Sequence, residues 1–150
     1  MTLKLNLSSE VTSILEKAAE FHGHLGPFLA IGVRMGQIGL NGVGMSKAKS
    51  LVVTASLPLR VPFSCIIDGL QITTKCTTGN QKLSLINSAK IQVKFEGKDN
   101  GRKVVVGLNQ SMFEKLKFQL LSKEAMPDEE VRELAWEVAA IPEDKLFVIT

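Results

Sequence analysis

The side chains able to move protons or ligate metals near neutral pH are few in this chain and fall in two short stretches. It holds two histidines, two cysteines and no tyrosine, so such chemistry draws on those four residues or on the acids. The first stretch, Phe21 to Arg34, reads FHGHLGPFLAIGVR and sets His22 and His24 on either side of a glycine. Residues two apart on one helix do not face each other, so a continuous helix could not aim both rings at one ion. The Gly26-Pro27 step resolves this. A residue before proline is pushed out of the α region, and proline suits the first turn of a new helix. One helix is therefore expected to end near His22 and another to begin near Pro27, leaving both rings able to converge in the bend. A packed or capping histidine is the competing reading, and the expectation is one ligand or acid-base histidine, not necessarily two.

The second stretch, CIIDGLQITTKCTTGN, runs from Cys65 to Asn80. Cys65 and Asp68, three apart, share a face of the helix expected to begin at Pro62. Cys76 lies eleven positions beyond Cys65, which is neither the CxxC of a redox motif nor the tight pair of a zinc knuckle. On one straight helix the two would stand about 16 Å apart, so a shared ion requires the helix to end before Cys76. The threonine-rich run closed by Gly79-Asn80 is consistent with that ending. In a cytoplasmic chain two cysteines favour thiol chemistry or metal binding over a structural disulfide, with a buried, inert thiol as the alternative for either.

The elements that must position these groups follow from periodicity. Ser8 and Ser9 are good N-caps for a first helix whose Val11, Ile14, Leu15 and Ala18 recur at helical spacing, with His22 continuing that face. A second helix is expected from Phe28 to about Leu40. Its Gly32, Gly36 and Gly39 make a narrow stripe fitted to close packing against a neighbouring element. Asn41 to Ser46 lacks the lysine and Ser/Thr of a phosphate loop and reads as a turn. Ser50 to Leu57 is a strand ended by Pro58. Ala89 to Glu96 alternates apolar and polar residues, and GKDNG leads into Arg102 to Leu108 as its hairpin partner. Ser111 and Glu114 form a capping box for a helix through Leu121, and Pro127 with Asp128, Glu129 and Glu130 opens another, with Val131, Leu134, Ala135 and Val138 inward. Leu146 to Ile149 closes as a short strand. The sum is one α+β domain over residues 1–150, helices packed against a mostly antiparallel sheet with one clear hairpin.

Composition excludes several classes. At 150 residues with 45% hydrophobic and 22% charged side chains, the chain builds one ordinary globular core. Its opening MTLKLNLSSE has no long apolar run after a basic segment, which is not the pattern of a secretory signal. The most apolar window, Pro27 to Met45, contains Arg34, whose insertion at mid-membrane costs about 2.5 to 3.5 kcal/mol; the expectation is no membrane span and a cytoplasmic location. Residues 1–122 carry 15 basic and 7 acidic side chains, net +8, and residues 123–150 carry 3 and 8, net −5. A basic body can attract anions. With scattered lysines and only 5% aromatic residues there is no stacking platform for single strands, so no nucleic-acid partner is expected.

Taken together, FHGHLGPFLAIGVRMG, then CIIDGLQITTKCTTGN about thirty residues later, then a lysine-bearing strand, resembles the FmdE family of formylmethanofuran dehydrogenase proteins over most of the chain, from about Ser9 to Ile149. The resemblance implies an α+β core whose His and Cys motifs meet in a cleft, metal binding in at least some members and frequent dimerisation. It also implies a link to the molybdenum or tungsten enzyme that fixes carbon dioxide on methanofuran in methanogenic archaea. Carried onto this sequence, it marks His22, His24, Cys65 and Cys76 as candidate metal ligands. His24, Cys65 and Asp68 are the candidate catalytic groups, and Gln71, Thr74 and Thr78 the candidate cofactor contacts. Two departures stand out. Many relatives have a cysteine where this chain has Gly26 and a glycine where it has Phe28, and many add a C-terminal cysteine-rich zinc module that two cysteines cannot build.

Three function classes follow. The leading one is a metal-binding accessory subunit or orphan enzyme of this family, acting as a homodimer, with a divalent ion such as zinc, which suits a His and Cys ligand set. The second is a metal-free thiol enzyme or redox switch with Cys65 or Cys76 as nucleophile and a histidine as base. The third is a non-catalytic interaction module. Iron-sulfur electron carriage is disfavoured by the missing repeated cysteine spacings.

Overall fold

The computed structural model describes residues 7–44, 50–122 and 125–150; Met45 and Ser46 of the glycine-rich turn lie outside them. In chain order the elements are α1 (Ser9–His22), α2 (Pro27–Val43), β1 (Leu51–Leu57), α3 (Cys65–Thr74), β2 (Leu83–Asn87), β3 (Gln92–Gly97), β4 (Lys103–Leu108), α4 (Gln110–Leu121), α5 (Asp128–Ala140), α6 (Glu143–Leu146) and β5 (Phe147–Ile149). The sheet order is β2-β1-β3-β4-β5. Only the β1–β2 pair is parallel; the other three pairs are antiparallel. The fold is α+β, as the mixed helix and hairpin pattern predicts.

The sheet's inner face is a row of alternating apolar residues in register. Val53 pairs with Phe95, which pairs with Val104, and Ala55 pairs with Val93, which pairs with Val106. The intervening positions of β3, Gln92, Lys94 and Glu96, are polar, and Glu96 draws in Lys98 at 3.3 Å and Lys94 and Lys103 at 3.8 Å. Against the inner face lies α2, apolar on nearly all sides, with Leu29, Ala30, Ile31, Val33 and Met35 fully buried. A helix of that kind must be surrounded, and it packs on α1, α3, α5 and the sheet.

The glycine stripe makes this possible. A Cβ on Gly32 would run into the Ile66 carbonyl of α3, and one on Gly36 would lie 2.8 Å from the Thr73 side chain. From the other side, a Cβ on Gly69 would stand 2.6 Å from the Leu29 carbonyl and the Val33 nitrogen. The stripe is thus spent on close packing within one chain, Gly32 and Gly36 against α3 and Gly39 against the Phe95 ring of β3.

Several boundaries differ from expectation for identifiable reasons. α2 runs on to Val43 before Gly44, at φ 69°, ends it. α3 starts at Cys65, because residues 61–64 form a tight turn that precedes it, with the Ser64 N–H bonded to the Arg60 carbonyl. The cap of α4 is Asn109, whose side chain accepts the Met112 N–H at 3.0 Å; Ser111 is already inside the helix, so the expected Ser111/Glu114 capping box is not used. Trp136 is fully buried on α5 beside the anticipated Leu134, Ala135 and Val138. α5 is latched at its end by Arg34, which donates to the carbonyls of Val138 (3.0 Å) and Ile141.

Candidate functional site

The break expected at the first motif is built from two glycines with different jobs. α1 begins under Ser8, whose hydroxyl accepts the Val11 N–H, and ends at Gly23, which adopts φ 108° and bonds its N–H to the Ala19 carbonyl. That left-handed geometry is costly for any residue with a Cβ. Gly26 is extended and Pro27 opens α2. His22 is thereby the last helical residue of α1 and His24 stands beyond the turn, their ring centroids 4.8 Å apart and their planes at 84°. Both imidazoles do converge in the bend.

Across from them, the first turn of α3 presents Asp68. Its Oδ2 lies 2.5 Å from His22 Nδ1, a short, charge-assisted contact. Its other oxygen accepts from Gln71 Nε2 at 3.3 Å, and Gln71 Oε1 in turn accepts the Thr78 N–H at 3.1 Å. The carboxylate is thus fixed on both sides, holding the His22 ring with Nδ1 engaged and Nε2 available to a proton or metal. Gln71 and Thr78 support this pair, while Thr74, buried, donates to the Leu70 carbonyl and accepts the Cys76 N–H.

His24 and Cys65 line one cleft of about 690 Å³. Its walls are mainly apolar, from Leu25, Val61, Pro62, Leu120, Leu121 and Val131, with Asp128, Glu129 and Arg132 from the start of α5. Burial, and then the charge of Asp68, push the Cys65 thiol up from its ordinary value. Cys76 goes elsewhere: past the end of α3, it is fully buried with its Sγ donating to the Leu51 carbonyl of β1 at 3.4 Å. Burial pushes its thiol up as well. The structure therefore brings His22, His24, Cys65 and Asp68 to one end of α3 and leaves Cys76 at the other. The contributions of α4 and α5 were not visible in the sequence, where Pro127-Asp-Glu-Glu signals a helix start and nothing about what that start will face.

Residues 21–148 match the family described as FmdE, molybdenum formylmethanofuran dehydrogenase operon. The chain belongs to the FmdE family. A probable S-adenosyl-L-methionine-binding protein of Archaeoglobus fulgidus is 30% identical to it over 95% of this chain. This chain spans 43% of that protein's length. The crystal structure of a tungsten formylmethanofuran dehydrogenase FmdE-like protein from Syntrophus aciditrophicus aligns with 97% of this chain and 72% of its own, with a TM-score of 0.54 and 23% identity. That likeness establishes a shared FmdE-type fold. Among the described residues no helix is long and apolar enough to cross a membrane.

Proposed function

We propose that this FmdE-family protein is a metal-binding accessory subunit or orphan enzyme of the formylmethanofuran dehydrogenase system, with His22 and His24 as the ligands of a divalent ion such as zinc. The observation that carries the reading is the 2.5 Å His22–Asp68 contact with the His24 ring 4.8 Å away. Two imidazoles bound to one tetrahedral zinc through bonds of ~2.0 Å place their centroids about 5 Å apart. A carboxylate on the far nitrogen is the usual support for a ligating histidine.

The donor set fits an open centre only. Among the described residues no three His, Cys, Asp or Glu side chains converge as ligands, so a closed structural site is not what these residues build. A bound divalent ion would supply Lewis acidity and a water of lowered pKa. The chain's own part is to fix the His22 ring through Asp68, place His24 and the Cys65 thiol on the cleft wall, and give that cleft an apolar lining with Leu120, Leu121 and Val131. The reading includes a homodimer, supported by Val61 and Leu121 of the cleft lining and by Phe118, one helical turn before Leu121, exposed at 78%, 52% and 76% as apolar surface that association would cover.

The test is calorimetric titration of the metal-free protein with Zn²⁺. One saturable equivalent per chain, abolished in His22→Ala/His24→Ala and retained in Cys76→Ser, supports the proposal; binding unaffected by the double histidine change refutes it. A second reading, S-adenosylmethionine binding, has in its favour that the Archaeoglobus relative matches nearly all of this chain. Titration with that compound under the same conditions distinguishes the two.

A further inference from the structure

The 58–65 segment, which lends Val61, Pro62 and Cys65 to the His24–Cys65 cleft, also lends Leu59, Arg60 and Phe63 to a second depression of about 500 Å³, lined further by Phe113 and Lys117. Among the described residues its lining has no histidine, cysteine or carboxylate. Leu59 is the exposed large apolar side chain of the lining, while Phe63 and Phe113 meet edge to face at 5.4 Å and lie buried beneath the depression. Each carries a cation: the Arg60 guanidinium stands 5.5 Å from the Phe63 centroid and the Lys117 ammonium 5.9 Å from that of Phe113. Neither cation forms an ion pair among the described residues.

The two remaining polar side chains each accept one backbone N–H. Asn87 Oδ1 accepts the Leu59 N–H at 3.1 Å, leaving its NH₂ to donate. Ser88 Oγ accepts the Lys90 N–H at 3.2 Å, leaving its O–H to donate. All four polar side chains of the cleft thus offer donors: a guanidinium, an ammonium, an amide and a hydroxyl. A cleft with four donor side chains, two of them positively charged, and no acid in its described lining complements an anionic acceptor.

We propose that this cleft binds a small organic oxyanion, a carboxylate or phosphate ester whose apolar body rests against the exposed Leu59 side chain while Arg60 and Lys117, held over the buried Phe63 and Phe113 rings, grip the charged end. Arginine over a ring is preorganised for a two-pronged grip on such a group. The site is separate from the metal proposal, shares no ligand with it, and stands or falls independently.

The test is a nuclear magnetic resonance titration of the ¹⁵N-labelled protein with phenyl phosphate, benzoate, inorganic phosphate and neutral benzamide. The proposal predicts saturable shifts at Asn87, Ser88 and the Arg60 side chain with phenyl phosphate or benzoate, the stronger of the two identifying the anion class. Binding should weaken at least tenfold in both Arg60→Gln and Lys117→Gln, whose spectra confirm the fold, and benzamide should not bind. Inorganic phosphate binding as tightly as phenyl phosphate would overturn the role of the apolar wall at Leu59. Absent saturation, or undiminished binding in the doubly substituted protein, would overturn the site.

Discussion

His22 Nδ1 and Asp68 Oδ2 lie 2.5 Å apart across 46 residues of sequence, joining the end of α1 to the first turn of α3. Removing the charge while keeping the shape, Asp68→Asn, should leave the fold intact and weaken zinc binding by about 10- to 100-fold, the usual effect of losing a carboxylate that supports a ligating histidine. Competition titration against a chromophoric chelator measures it.

Cys65 gives a pH signature. Its thiol is pushed up from 9.0 by burial first and Asp68 second, so native protein should alkylate slowly near pH 8 and gain rate only above the ordinary thiol range. In Asp68→Asn the rate profile should move to lower pH, though not fully, since burial persists. Linkage fixes the sign for stability. Above pH 9 an unfolded thiol has lost its proton while folded Cys65 keeps its own; the native state then binds more protons, and stability falls as pH rises through that window. Urea unfolding at pH 8 and pH 10 should show a smaller decline in Cys65→Ser than in the parent protein.

The close contact of α2 and α3 makes Gly69 a structural test of the site. A Cβ there meets backbone atoms at 2.6 Å, which cannot yield without parting the helices. Gly69→Ala should cost about 3 kcal/mol or more, at or above the upper end of ordinary overpacking. It should also lower zinc affinity, because α3 carries Asp68. Denaturant midpoints and the same chelator competition report both.

Gly26 is the position at which the family resemblance implies a cysteine in other members. A Cβ there would lie 3.8 Å from His24 Cε1 and 3.5 Å from Val131 Cγ1, ordinary contacts, in backbone of φ −140° that any residue adopts. Gly26→Cys should therefore fold normally and tighten zinc binding by about tenfold or more by offering a third protein ligand. Unchanged affinity would place the ion away from His24.

What the sequence revealed was whatever short-range backbone chemistry dictates. The Gly26-Pro27 step announced the break between α1 and α2, the alternation around GKDNG announced the β3–β4 hairpin, and the spacing of Cys65 and Asp68 announced their shared helix face. Longer-range outcomes were not legible. β2 has only Leu83 fully buried, so an edge strand with little alternation left no periodic trace, and its parallel pairing with β1 depends on the crossover through α3. The fate of Cys76, bonded to the Leu51 carbonyl, depends on where β1 lies, and its distance from Cys65 along the chain says nothing of that. The expected cap, Ser111, lies inside α4, which starts at Gln110, so the capping role goes to Asn109, whose side chain accepts the Met112 N–H.

The central claim is that an ion sits between the two imidazoles of the HGH turn. Zinc-edge anomalous diffraction from crystals grown with one equivalent of Zn²⁺ tests it most directly. The account predicts a peak within about 2.0 to 2.3 Å of a nitrogen of each of His22 and His24, with Asp68 still on His22 Nδ1 and Cys76 uninvolved. A peak at Cys76, or none near the two histidines at full zinc occupancy, would contradict it.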